Sequence, residues 1–173
     1  MQNTKNQLYY DLIVSSNIRQ LKALKNILTK AEIFGAKNNI STEEIFDYKL
    51  TENMFSFVKQ VRLALDFAKM MGVRSAGREN ISHTDDETEF SQLEVRVDSV
   101  INILEDIKIE DFEGIENKTT EFKFMPGLTL NLEKTLLNML FPNFYFHVTT
   151  AYAILRSKGV DLGKNDFIGW DFK

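Results

Sequence analysis

Few residues in this 173-residue chain could do chemistry. The most suggestive stands in PNFYFHVTTAYAIL, Pro142 to Leu155, where His147 interrupts an apolar and aromatic run. An imidazole in such a place can serve as a metal ligand, as a general base, or as a core residue whose ring nitrogens find partners. Asn143 precedes it by four residues and therefore shares its side of a helix. The other histidine, His83, sits in the polar stretch GRENISHTDD and reads as a solvated loop residue. With two histidines, a three-histidine zinc or nickel site is impossible within one chain. A mixed site would need a carboxylate, and the nearest candidate is Asp66. At 100° per residue Asp66 lies away from the stripe of Met54, Val58, Val61 and Leu65 and beside Arg62 and Lys69, so it reads as an ion-pair residue.

Asn17 is the third polar residue of interest, because its helical phase places it inside an apolar stripe between Val14 and Leu21. A buried amide needs partners, and His147 or Asn143 would serve, forming a small polar island in the core. The alternatives are that such an island only satisfies itself, or that Asn17 caps a helix start. The candidate ligand-binding residues are thus His147, Asn143 and Asn17. Nothing matches a P-loop, G-x-G-x-x-G, G-x-S-x-G or H-E-x-x-H pattern. The pairs Glu43-Glu44, Asp85-Asp86 and Glu105-Asp106 read as helix-end or surface charge.

The elements that must position these residues follow from periodicity. Val14, Leu21, Leu24, Leu28 and Ala31 share one face of a first helix that ends at Asn38-Asn39, and Met54 to Ala68 form a second stripe within about residues 52–73. Thr84-Asp85-Asp86-Glu87 has the spacing of a capping box, followed by Phe90, Leu93, Val97, Val100, Ile101 and Leu104 in a third helix. Thr120, Phe122 and Phe124 alternate with charged residues ahead of Pro126-Gly127, which predicts a small β-hairpin over 119–131 with its turn at Pro-Gly. A fourth helix runs from about Leu132 to a stop at Gly159, and Pro142 inside it should bend or restart it. The tail, about residues 160–173, has no helical period but carries Phe167, Trp170 and Phe172, which suits docking on the bundle or lidding a pocket. The expectation is one all-α domain, a four-helix bundle with a hairpin before the last helix, with connections long enough for crossovers.

Composition narrows the partners. A net charge of −4, with 21 Lys and Arg scattered among 25 acids, supplies no basic stripe for a phosphate backbone, so no nucleic-acid partner is expected. No run approaches the ~18 apolar residues of a membrane span, and no signal-peptide core is evident, so the expected setting is the cytoplasm without membrane attachment. Cysteine is absent, which removes thiolate chemistry and disulfides. The aromatic fourth helix, or the second with its additional Leu63, Phe67 and Met70, offers a surface for a homodimer.

Four stretches, LYYDLIVSSNIRQLKAL, KLTENMFSFVKQVRLALDFAK, DDETEFSQLEVRV and FPNFYFHVTTAYAILRSKGVDLGKNDF, carry a resemblance. The chain resembles the domain-of-unknown-function family numbered nineteen-ninety-three from Leu8 to about Gly169. That family is similar to the DinB/YfiT-like four-helix bundles, many of them regarded as metalloenzymes with one histidine on the second helix and an i, i+4 pair on the last. Some are thiol S-transferases. The resemblance implies the bundle fold and a cytosolic setting. Carried onto this sequence, His147 matches the second member of the last-helix pair, Asn143 stands where the first would be, and the second helix offers Gln60, Asp66 and Phe67 with no histidine. Asn17 also departs from the apolar or aromatic residue associated with its stretch. The expected function is therefore a non-metal, small-molecule-binding or interaction bundle with no cofactor. The rival is a DinB-like transferase or hydrolase, metal-dependent or using His147 as its base.

Overall fold

The computed structural model describes residues 2–123 and 125–169. Its elements are α1 (Gln2–Tyr10), α2 (Ser16–Asn38), α3 (Thr42–Asp47), α4 (Phe57–Ser75), α5 (Phe90–Glu105), β1 (Thr119–Phe122), β2 (Met125–Asn131), α6 (Leu132–Thr135), α7 (Phe141–Ser157) and α8 (Lys164–Ile168). A π-helical turn at Asp11–Ser15 joins α1 to α2, and another at Leu136–Leu140 joins α6 to α7, so two long rods result. The second π turn has a local cause. Pro142 carries no N–H, and the wider i to i+5 bonding just ahead of it, with Phe141 N–H donating to Leu136 O, lets the helix continue through the proline. The expected break at Pro142 is thus a π bulge.

The four long helices bury their stripes against one another in the expected bundle. The α4 helix packs most extensively on α7 and also on α5; α2 packs on α5 and touches α7. Going round the bundle the order is α2, α5, α4, α7, so α2 to α4 and α5 to α7 are diagonal crossovers. The core includes Leu21, Leu24 and Leu28 of α2, Val61, Leu65 and Ala68 of α4, Leu93, Val97 and Val100 of α5, and Phe144, Val148 and Ala151 of α7, all buried. At ~25 cal/mol per Å² of apolar surface removed from water, such stripes supply the main folding drive.

Several boundaries differ from the sequence expectation. The first rod begins at Gln2, well ahead of Val14. The second long helix starts at Phe57 behind Ser56, and the segment holding Thr51 forms turns. Thr84 to Glu87 does not cap α5. The helix starts at Phe90, where Gln92 Oε1 accepts from the backbone of Thr88 and Glu89, because Thr84 and Glu87 are committed to the charge network described below. The hairpin pairs Phe122 with Met125, and Pro126-Gly127 fall within β2 and do not form its turn. Phe124, Trp170 and Phe172 lie outside the described residues. The tail is partly helical: α8 docks on α2, with Gln20 Nε2 donating to Phe167 O at 2.7 Å and Lys30 Nζ meeting Asp166 at 2.7 Å. The positive φ of Gly159 and Asn39 closes α7 and α2 as expected.

Candidate functional site

His147 is buried between α4 and α7, and its partner is Gln60. Nδ1 lies 2.7 Å from Gln60 Oε1. Gln60 Nε2 donates to Phe55 O at 3.2 Å, which orients the amide so that its oxygen faces the imidazole. An amide oxygen only accepts, so Nδ1 carries the proton and Nε2 holds a lone pair. No described group bonds Nε2, and it is not among the buried polar atoms left without a partner, so it borders solvent. The ring stacks on Phe67, with centroids 5.5 Å apart and planes 15° from parallel, and meets Phe146 edge-on at 5.3 Å. Burial lowers the His147 pKa from its ordinary value. The imidazole is therefore a neutral acceptor with a fixed tautomer between two aromatic rings.

The other two candidates do not join it by a hydrogen bond. Asn143 Nδ2 donates to Met139 O at 2.7 Å, one turn back along its own rod. Asn17 is fully buried, as its phase predicts, yet neither atom of its side-chain amide has a hydrogen-bond partner among the described residues. Gln60, named above only among the second-helix residues that stand in place of a histidine, is the partner the sequence did not assign to His147; its phase on the second stripe, four residues before Ala64, was the available signal.

The donors around His147 do not suit a metal ion. Nδ1 is committed to Gln60, the Asn143 amide is turned to its own backbone, and no group of three His, Asp or Glu side chains converges among the described residues.

A second polar constellation joins α4, α5 and the loop between them. Asp66 pairs with Lys69 and with Arg96, each at 3.1 Å, while Arg96 also reaches Asp85 at 3.1 Å and Glu87 at 2.9 Å. Arg62 pairs with Glu87 at 2.7 Å rather than with Asp66. His83 is not a solvated loop residue: Nδ1 lies 2.8 Å from Lys69 Nζ and Nε2 3.2 Å from Ser99 Oγ, because the loop folds back onto these buried cations. A cleft of about 400 Å³ opens beside His83, Glu87, Arg96 and Ser99.

The chain Lys69, His83, Ser99 has the members of a relay but the wrong polarity to activate a serine. An ammonium only donates, so Nδ1 accepts and Nε2–H donates to Ser99. A base that removes the serine proton would need the opposite arrangement. Burial, followed by the charges of Lys69 and Arg96, lowers the His83 pKa and keeps that polarity. The network fastens the loop of residues 78–89 to two helices.

Comparison with known proteins follows the geometry. The sequence model of the family described as Domain of unknown function (DUF1993) matches residues 9–168. The chain is also similar to the crystal structure of a DinB family member protein from Shewanella denitrificans, at 31% identity, with a TM-score of 0.93, covering 100% of this chain and 98% of that one. No curated protein matches the chain. Both the bundle with its diagonal crossovers and the sequence that builds it therefore place this chain in the DUF1993 family, within the DinB-like four-helix bundles.

Proposed function

We propose that this chain is a non-metal, small-molecule-binding DinB-like bundle in which His147 Nε2 accepts a hydrogen bond from the ligand. One observation carries the reading: Gln60 holds Nδ1 protonated and leaves Nε2 without a partner among the described residues, between Phe67 and Phe146. A solute with a hydroxyl or N–H donor beside a planar or apolar body matches that surface. The same fixed tautomer supports a second reading, in which His147 is the general base of a metal-free transferase or hydrolase. Native mass spectrometry of untagged protein tests the first: a retained small molecule in the wild type and its loss in His147→Phe, with an unchanged fold, are the expected results. Stoichiometric metal that disappears in His147→Ala would overturn it.

The reading extends to a cytoplasmic homodimer. A chain without cysteine needs no oxidising compartment, and Phe146 is exposed beside half-buried Phe67, which supports self-association through α4 and α7. A monomeric mass at micromolar concentration would count against the dimer.

A further inference from the structure

Arg74, half-buried in the last turn of α4, differs from the other buried and half-buried cations of the bundle. Arg62, Lys69 and Arg96 each meet a carboxylate within 3.1 Å. Arg74 meets none among the described residues. Its Nη1 donates to neutral acceptors, the Thr120 hydroxyl and, at 3.0 Å, Glu121 O. Its guanidinium lies over the Phe122 ring at 4.4 Å from the centroid. Among the described residues, buried Nε has no acceptor and none meets Nη2. Burial lowers its pKa, the direction expected of a cation that lacks an anion to offset desolvation.

This guanidinium lines a cleft of about 570 Å³ between the end of α4, the loop that follows and β1. Arg78 and Lys123 line it as well, against Glu79 and Glu121, so three cations face two carboxylates. One other cation and one acid are engaged elsewhere in part: Arg78 pairs with Asp111 at 3.2 Å, and Glu121 Oε1 accepts from Thr129 at 2.5 Å. Arg74 alone brings a desolvated positive charge with spare donors.

We propose that this cleft binds a small solute through an oxyanion, a carboxylate or a phosphate group, seated on the accessible Nη2 donors of Arg74 with Lys123 at its rim. A planar guanidinium held flat on an aromatic ring offers its remaining N–H groups edge-on, the geometry that oxyanions take on arginine. The site is separate from His147, and neither proposal depends on the other.

The test is titration of ¹⁵N-labelled full-length protein with inorganic phosphate and, in a second arm, with succinate, at ionic strength held constant with potassium chloride. Saturable shifts of the Arg74 Nε–H and of amides in 74–82 and 121–123 are expected, whereas chloride alone moves them little. Saturation by phosphate only assigns a phosphate group, and saturation by both assigns oxyanions generally. Arg74→Gln should weaken binding by about tenfold or more, and Lys123→Gln, at an exposed position that folding does not need, by about threefold. The proposal is overturned if neither anion gives saturable shifts, if chloride reproduces them, or if both variants bind as the wild type does.

Discussion

His147 of α7 donates from Nδ1 to Gln60 Oε1 of α4 across 2.7 Å, and the Gln60 amide is itself held by the backbone of Phe55. One hydrogen bond thus fixes the tautomer of the site and ties together the two helices with the largest shared contact in the bundle. Its worth follows from what is left when one partner goes. A buried amide oxygen without a donor costs about 1–3 kcal/mol, more than the bond itself contributes.

Gln60→Leu and His147→Phe should each destabilise by about 1–3 kcal/mol in urea titrations, and the double variant by less than the sum. A histidine that only filled space would give additive losses. Additivity within about 0.5 kcal/mol would show that the two side chains do not act as a pair.

Stability should fall as pH drops below the ordinary histidine range. Both His147 and His83 have lowered pKa values in the fold, so below 6.5 the unfolded chain binds protons that the native chain refuses, and the slope of unfolding free energy against pH is positive there. The loss should be greatest between the ordinary value and the lowered native ones, then level off below them. His147→Phe should flatten part of that slope, and imidazole proton shifts in NMR should titrate below the free-histidine midpoint. A midpoint above it for His147 would contradict the burial argument.

Arg96→Met should cost about 1–3 kcal/mol, because it removes the cation shared by Asp66, Asp85 and Glu87 while each carboxylate keeps one other cation, Lys69, Lys59 and Arg62. The same change should release residues 78–89, read as faster proteolysis within that loop. Loss of stability with the loop as resistant as before would mean that the network does not fasten it.

Asn17→Leu should raise the unfolding free energy by about 1–2 kcal/mol, since it removes two amide atoms that are buried without partners. If Asn17 serves ligand binding, the more stable variant will also lose any retained small molecule. A destabilised variant would indicate that the amide is satisfied in solution, by water for example.

Gly169→Ala should loosen the docked tail. Its φ is +62°, and a Cβ there would stand 2.6 Å from Ala23 Cβ and 3.2 Å from Arg19 O. The expected readout is faster amide exchange in α8, with the core helices unchanged.

Periodicity alone determined that four helices exist, which faces they bury, that a hairpin precedes the last one, and that Asn17 points inward; these are local consequences of where apolar residues recur. The family was legible for the same reason, in long stretches whose residue order is itself the signal. Only the tertiary structure decided that Gln60 meets His147, that Asn143 turns to its own backbone, and that His83 is drawn onto Lys69. The first depends on the crossovers, which bring α7 against α4 and set residues 87 positions apart within 3 Å; the other two depend on a competition between partners that a one-dimensional pattern does not contain. Arg74 shows the limit most plainly: nothing in its neighbours along the chain tells that it would form no ion pair among the described residues.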